Sequence, residues 1–442
     1  MSEPITAFKN SFKIPELKNR ILFVLAMLAI YRLICHIPTP GVDGTELAKK
    51  IGEGAGFLGF YDMFTGGAFA QATVGALGIM PYITVSIIFS LLIPVIPQLE
   101  QLQKMGQEGQ KKITEYTRYG TIALCAVQSI GVSMYLQSMG PEIVPNPGLW
   151  FIFMCIISFT TGTAFIMWLG EQISEHGIGN GISLIIFASI MSGFPQAIIN
   201  MFRMMNAGQL GIPQILILLF LMVFVVMGAI MVTTGQRRIP VQYPRQVMGR
   251  RVAGGQRSYL PLRVNQAGVI PIIFASSILM LPSMLGAGVT IPWMQTIMAV
   301  VFDHTGWIYN TIFIGMIIFF AFFYTAITFN PVELADNMKK YGGVIVGVRP
   351  GKATAEYLNT VMTRITLVGA LFLALVAIIP TLVFVFLGVR DWNLVNFFGG
   401  TSLLILVSVG LDTIKQIEQH LTMRHYDGFS GSSGRIRSRR QF

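Results

Sequence analysis

Long runs without a charged residue are the feature that most constrains this chain. They recur along its length, at residues 63–99, 119–141, 143–170, 177–202, 204–236, 264–302, 305–332, 365–389 and 392–411. A helix needs about 20 apolar residues to cross the hydrocarbon core of a bilayer, and most of these runs reach that length. Charged residues make up 12% of the 442 residues, whereas soluble domains average about 25%. The sequence therefore predicts a polytopic membrane protein.

The apolar runs predict an all-α membrane protein with ten transmembrane helices. The predicted spans are residues 21–37, 74–96, 119–139, 150–170, 182–199, 213–234, 265–286, 307–329, 365–387 and 395–411. No small-residue cleavage site follows the first apolar run, so no cleavable signal is expected. Five spans precede the connection at residues 200–212 and five follow it. The odd number in each half predicts two inverted five-helix halves, residues 1–203 and 204–442.

The basic residues predict the orientation. Of the 31 Lys and Arg residues, most fall before the first span, in alternate loops or in the tail when the N-terminus is placed in the cytoplasm. The exceptions are Lys49, Lys50, Arg203 and Arg390 outside, and Arg32 within span one. Cytoplasmic loops carry an excess of Lys and Arg, which predicts that both termini are cytoplasmic. The large cytoplasmic segments are then residues 235–264, 330–364 and 413–442.

A short apolar segment at residues 57–70 cannot span the membrane. It is interrupted by Gly66 and Gly67 and is followed by a segment long enough to cross. Backbone groups exposed to lipid without hydrogen bonds are costly, so the short segment must lie at an interface or fold back into protein. The sequence predicts a re-entrant half-helix that stops a pore beside the span at residues 74–96.

Motifs of catalysis and of cofactor binding are incomplete. The segment at residues 177–181 lacks the spacing and the strand of a dinucleotide site. Residues 347–352 do not form a P-loop, because Val346 and Ala353 stand where Gly and Ser or Thr belong. The three cysteines and five histidines are scattered, so no disulfide framework, metal or cofactor is expected.

Ionisable residues in mid-span usually mark coupling to protons or ions. Here Arg32, Glu171 and Asp412 fall near predicted span ends. A snorkelling or interfacial role is the favoured interpretation of all three. The pattern argues against an ion-coupled transporter and leaves a small-solute permease open.

The loop at residues 235–263 contains seven arginines. Membrane orientation explains part of this excess. Arginine also suits bidentate binding of phosphate and carboxylate groups, so docking of an anionic or acidic partner is a second hypothesis. RNA and an acidic motor protein both fit it.

Several stretches together closely resemble the SecY family of protein-conducting channels. They are residues 76–86 (ALGIMPYITVS), 168–186 (WLGEQISEHGIGNGISLII), 235–239 (GQRRI), 260–278 (LPLRVNQAGVIPIIFASSI), 323–337 (FYTAITFNPVELADN), 348–351 (VRPG) and 398–405 (FGGTSLLI). Two positions depart from the usual family pattern: Ser90 replaces a Gln, and Val346 replaces a Pro.

The resemblance implies an hourglass of two halves with functional residues at four places. The pore ring would be Ile79, Ile83, Ile186, Ile273 and Ile405. The plug would include Phe60, Tyr61, Met63, Phe64, Gly66 and Gly67. The lateral gate would lie between spans two and seven, with Thr84 and Asn265 at polar positions. The partner-docking surface would include Arg245, Arg250, Arg251 and Arg349.

The resemblance also implies a function: a passive channel, not an enzyme, that moves unfolded preproteins across the membrane and releases membrane proteins into lipid. Its expected partners are SecE, SecG, the SecA ATPase, the ribosome and signal peptides. Its expected location is the bacterial inner membrane. A ten-span small-solute permease is the alternative function, and a general insertase is a third.

Overall fold

The computed structural model describes residues 14–53, 57–243, 246–248, 251–253, 257–286, 301, 306–389 and 392–430. The helices of its first part are α1 (Pro15–Ile34), α2 (Gly44–Glu53), α3 (Phe57–Thr65), α4 (Met80–Leu92), α5 (Pro97–Lys104), α6 (Gln107–Ser138), α7 (Leu149–His176) and α8 (Gly181–Asn206). Those of its second part are α9 (Ile212–Thr234), α10 (Ile270–Gly286), α11 (Trp307–Thr328), α12 (Pro331–Lys340), α13 (Lys352–Leu387), α14 (Trp392–Gly399) and α15 (Thr401–Ser430).

The predicted spans fall on helices of this set. Six helical segments in the described ranges are long and apolar enough to cross a membrane: Gln107–Ser138, Leu149–His176, Gly181–Asn206, Ile212–Thr234, Trp307–Lys340 and Lys352–Leu387. The pair α4 and α5 passes the same test when joined, but it is bent by 99°. The protein is therefore a multi-pass membrane protein, and the described helices account for six or seven spans, so the count of ten stays a prediction.

Span two is shorter than predicted. Residues 74–79 form turns, and the helix begins at Met80 and ends at Leu92. Gly78 lies in the left-handed region (φ 56°), which ends any helix there. Pro94 lacks an N–H and clashes with the preceding turn, so the helix stops and α5 starts in a new direction at Pro97.

Other boundaries also differ from the prediction, and the helices of spans three and nine begin earlier than predicted, at Gln107 and Lys352. The helix of span seven begins at Ile270 rather than at residue 265, after a turn through Gly268 (φ 62°). Span ten is divided into α14 and α15 at Gly400, and α15 continues to Ser430, well into the predicted tail. The predicted connection at residues 200–212 is helical as far as Asn206.

Helix packing follows the two predicted parts of the chain. Helices α1 to α8 pack mainly on one another, as do α9 to α15. The two sets meet where α10 contacts α4 and α6, where α14 contacts α3 and α8, and where α15 contacts α8. One large apolar cluster runs through both sets and contains the residues described below.

A small sheet lies in the segments predicted to be cytoplasmic, and the sequence analysis did not foresee it. Its strands are β1 (Gln236–Gln242), β4 (Arg257–Arg263) and β5 (Val344–Ile345), in the order β4–β1–β5 with antiparallel pairing. A second hairpin, β2 (Gln246–Met248) with β3 (Arg251–Ala253), lies between β1 and β4 in the chain. Ile239 and Val241 on β1 pack against Leu358 on α13, so both loops share one core.

Candidate functional site

The half-helix α3 is buried inside the protein. Tyr61 and Phe64 lie in the large apolar cluster, and the Tyr61 hydroxyl donates to the Leu77 carbonyl at 2.9 Å. The Tyr61 ring meets the edge of Phe69 at a centroid distance of 5.0 Å. Nine residues of helix are too short to cross a bilayer, so burial in protein is what stabilises this segment. Phe60 lies on α3, but its side chain is outside the described part of the chain.

The predicted plug extended to residue 70, whereas its helix ends at Thr65. Gly66 (φ 69°) and Gly67 (φ 88°) then take the left-handed backbone that glycine adopts without penalty. The Asp62 carboxylate accepts a hydrogen bond from the Ala70 N–H at 2.7 Å, and the Thr65 hydroxyl accepts one from the Phe69 N–H at 3.2 Å. These bonds fix a compact turn that closes the segment.

The five isoleucines of the predicted pore ring come from four different helices. Ile79 immediately precedes α4 and Ile83 lies on it, while Ile186, Ile273 and Ile405 lie on α8, α10 and α15. Each is at most 7% exposed, and all five belong to the apolar cluster that contains Tyr61 and Phe64. The predicted ring and the predicted plug thus belong to the same apolar cluster, which runs through both helix sets.

The two helices of the predicted lateral gate are packed together. The Ser277 hydroxyl on α10 lies 3.7 Å from the Met80 sulfur on α4. The predicted polar residues of the gate bond locally: the Thr84 hydroxyl donates to the Met80 carbonyl, and the Asn265 amide donates to the Gly268 carbonyl. Asn265 precedes α10 rather than lying on it, because the helix begins at Ile270.

Of the four predicted docking arginines, Arg349 has a described side chain. It is exposed in the turn between β5 and α13, and its carbonyl accepts the Thr354 hydroxyl at 2.8 Å. Arg251 lies on β3, but its side chain is outside the described part, and Arg245 and Arg250 are outside it altogether. The strands β1 and β4 add exposed Arg237, Arg238 and Arg263, which lie at the end of these strands away from the pairing of β1 with β5.

Two sets of contacts were missed by the sequence analysis. Arg32 is not simply a snorkelling residue, because its guanidinium donates to the Gly66 carbonyl at 3.0 Å. Glu171 forms a bidentate ion pair with Arg118, with both N–O distances 2.8 Å. A lone charge within or beside an apolar run was the available signal, but the sequence could not identify its partner.

The described residues contain no group of three His, Cys, Asp or Glu side chains placed to hold a metal ion. The described site consists of a buried short helix, five buried isoleucines of the same apolar cluster, and the packed helix pair α4 and α10. An apolar constriction blocks ions because water does not wet it. Such an arrangement is suited to closing a pore. The interactions that hold it together are apolar packing and hydrogen bonds.

Comparison with known sequences identifies one family throughout. A family model described as SecY matches residues 73–414. The "Protein translocase subunit SecY" of Streptomyces scabiei is 47% identical over 441 residues, which cover 96% of this chain and 99% of that protein. The protein of the same name from Escherichia coli K12 is 46% identical over 420 residues, covering 93% of both.

Comparison with solved structures gives the same fold. The structure titled "The structure of a protein conducting channel" matches with a TM-score of 0.65 and 17% identity, covering 93% of this chain and 94% of that chain. "Sec61 in the Canine ribosome-channel complex from the endoplasmic reticulum" matches with a TM-score of 0.61 and 16% identity over the same shares. At these identities the likeness establishes the fold, and the fold agrees with the family model.

Proposed function

This chain belongs to the SecY family, and we propose that the apolar region around α3 is its closed gate. The chain is a protein-conducting channel and not an enzyme, as its family identity establishes. Its relatives are named translocase subunits, so a small-solute permease is not supported. In this proposal, unfolded secretory proteins pass through the ring, and apolar segments leave sideways into lipid.

The observation that carries the proposal is the joint burial of the plug and the five isoleucines in one cluster. Such a ring closes the pore to ions by excluding water until a polypeptide occupies it. Isoleucine is stiff at χ1, so the ring keeps a defined shape when empty. The plug adds Tyr61 and Phe64 to the same apolar region and is the second barrier.

The lateral gate is assigned to the interface between α4 and α10. Van der Waals contact and a weak hydroxyl–sulfur bond hold this interface, and neither is costly to break. An apolar segment that enters between the helices gains about 25 cal/mol per Å² of surface transferred into lipid. Its own hydrophobicity therefore supplies the free energy for lateral release.

Energy for export must come from partners, since the chain lacks a P-loop. SecA and the ribosome are the proposed partners at the cytoplasmic sheet and the Arg349 turn, and SecE and SecG are the proposed membrane subunits. A related channel was solved in a ribosome–channel complex, which supports the ribosome as one of them. The excess of basic residues in these segments supports a location of the sheet and both termini in the cytoplasm of a bacterial cell.

The decisive experiment is crosslinking to an arrested polypeptide. A photoreactive amino acid replaces Ile83 or Ile405 in the complete channel complex, and a preprotein is stalled during export. Both positions are expected to crosslink to the stalled chain. Phe220 on α9 is 73% exposed and lies outside the apolar cluster, so it is the control position, where no crosslink is expected. Crosslinks absent at both isoleucines would overturn the ring assignment.

Depletion of the chain separates the candidate functions. Loss of preprotein export together with intact solute uptake supports the channel. Loss of membrane insertion with export intact would favour a general insertase, and loss of solute uptake alone would favour a permease.

A further inference from the structure

The end of the plug helix needs hydrogen-bond partners. The last carbonyls of an α-helix have no partner within the helix, and they carry the partial negative charge of the helix dipole. At the end of α3 these carbonyls include Thr65, and the turn that follows adds Gly66. Thr65 is buried and Gly66 is half-buried, so an unpaired carbonyl would be costly, most of all at Thr65.

Helix α1 supplies these partners from a single turn. The Arg32 guanidinium donates to the Gly66 carbonyl at 3.0 Å, and the Tyr31 hydroxyl is 3.3 Å from the Thr65 carbonyl. The Cys35 thiol approaches the same Thr65 carbonyl at 3.8 Å. The bond from Arg32 is charge-assisted and also opposes the negative end of the α3 dipole, so it is the strongest of the three.

Helix α8 connects to the same point through Ser189. Its hydroxyl lies 2.6 Å from the Tyr31 hydroxyl and 2.8 Å from the Ile185 carbonyl of its own helix. Because each hydroxyl has one proton, Tyr31 donates to the Thr65 carbonyl when Ser189 donates to Tyr31. Tyr31 is 1% exposed, so this short contact is shielded from water. Tyr31 therefore contacts both α8 and the end of the plug helix.

The contact of the plug with the second helix set is weaker. There the Ser402 hydroxyl on α15 approaches the Met63 sulfur at 3.2 Å, and apolar residues of α14 pack on α3. A thioether sulfur is a weak acceptor, whereas a carbonyl facing a guanidinium is a strong one. Within the first helix set, the described polar bonds of the plug go mainly to α1, and the Tyr61 hydroxyl bonds to the Leu77 carbonyl in the turn before α4.

We propose that Tyr31, Arg32 and Ser189 form a plug latch, which holds the plug to the first helix set and determines how readily it leaves the pore. The proposal rests on the assignment of α3 as the plug in the proposed function. When α10 moves away from α4, the latch remains intact, since all its members lie on α1 and α8. Opening of the lateral gate and release of the plug are then separate steps.

The test measures the resting chloride conductance of the complete channel complex in planar lipid bilayers. Tyr31→Phe removes one hydroxyl and is expected to raise the conductance between about twofold and tenfold, the range for one net hydrogen bond. Ser189→Ala is expected to raise the conductance by a factor in the same range. The double variant should not exceed Tyr31→Phe, because both changes act on one bonded group. Arg32→Gln is expected to raise the conductance more than Tyr31→Phe does. Arg32→Lys keeps the positive charge and is expected to have a conductance close to that of the wild type.

Two matched controls are available on α6. Ser129 is buried and its hydroxyl lies 2.7 Å from the carbonyl four residues earlier, a contact that Ser189 also makes, so Ser129→Ala controls for loss of that local contact. Tyr135→Phe removes a hydroxyl from a half-buried tyrosine in the same helix set. Both controls are expected to keep the wild-type conductance, and equal yield and melting temperature establish that each variant complex is folded.

A second readout follows the plug itself. A cysteine in place of Met63 is treated with a membrane-impermeant maleimide from the external side, and the latch variants are expected to be labelled faster.

Deletion of residues 60–67 distinguishes failure of the latch from failure of the plug assignment. If the deletion raises the conductance and the latch variants do not, the latch is refuted and the plug stands. If the deletion has no effect either, the plug assignment itself is refuted. If Arg32→Gln fails to assemble, Tyr31→Phe and Ser189→Ala decide the outcome.

Discussion

Gly66 and Gly67 have the same backbone conformation in different surroundings. A Cβ added to Gly66 would lie 2.5 Å from the Arg32 guanidinium and 3.1 Å from the Ser189 Cα, whereas a Cβ added to Gly67 would have no atom within 4 Å. Both residues have a positive φ, so alanine adds roughly 1–2 kcal/mol of backbone strain at either position. The difference in effect between Gly66→Ala and Gly67→Ala therefore reports the clash of the added Cβ with Arg32 and Ser189 alone.

We predict that Gly66→Ala loosens the plug and that Gly67→Ala has a smaller effect. The expected result is a higher resting ion conductance and faster maleimide labelling at a cysteine in place of Met63 for Gly66→Ala. Equal behaviour of the two variants would mean that backbone strain, and not the contact with Arg32, determines how the turn docks.

The ion pair of Arg118 and Glu171 gives a second prediction at single residues. The Glu171 side chain is 14% exposed and accepts two bonds from one guanidinium, whereas the pair of Lys104 and Glu100 is exposed at 72% and 47%. We predict that Glu171→Gln lowers the free energy of unfolding by roughly 1–2 kcal/mol, while Glu100→Gln changes it by less than about 0.5 kcal/mol. Thermal unfolding of the purified complex measures both, and an equal loss in the two variants would contradict this ranking.

At the scale of elements, the turn between β5 and α13 is shaped to expose Arg349. Gly347 and Gly351 flank it with positive φ values of 85° and 97°, and the Thr354 hydroxyl fixes the Arg349 carbonyl. The sheet and α13 share a core, so the turn is held on a rigid support. A fixed, exposed guanidinium suits an acidic protein surface.

We therefore predict that Arg349→Glu impairs export driven by the motor proposed to dock at this turn, while insertion of the variant itself into the membrane stays normal. Charge reversal replaces attraction to an acidic partner by repulsion, so binding should weaken most at low salt. Lys340→Glu, an exposed charge at the end of α12, is the control and is expected to retain export. Export by Arg349→Glu at the control rate would remove the docking role.

The sequence was sufficient to predict that most of the helices exist, because an apolar run of about 20 residues in lipid must form its backbone hydrogen bonds within itself. It was insufficient for helix ends, which Pro94, Gly268 and Gly400 set locally. It also missed the contact of Arg32 with Gly66, since the two residues are 34 positions apart and no periodic pattern connects them. The alternating burial of Ile239 and Val241 on β1 was a signal for the sheet, but the strand is short and its core is formed by the distant α13.

At the scale of the whole molecule, the two helix sets meet at two groups of contacts. Helix α10 contacts α4 and α6 in one group; in the other, α14 contacts α3 and α8, and α15 contacts α8. Separation of α4 from α10 requires no loss of the contacts between α8 and α15. The proposed function therefore predicts that the two helix sets open like a clamp, with the plug retained on the first set.

The clamp predicts that a bridge across the lateral gate blocks transport. Met80 and Ser277 face each other across it, so cysteines at both positions are joined with a short thiol-specific crosslinker that reductant can cleave. In the proposed function a signal sequence enters between α4 and α10 to reach lipid, so the bridged channel is expected to stop both export and membrane insertion, and reduction is expected to restore them. Gln196 and Asn200 lie one turn apart on α8 and are hydrogen-bonded at 3.2 Å, so the same bridge there is the control and should leave transport intact. Insertion that continues through a fully bridged gate would show that apolar segments leave the channel by another route.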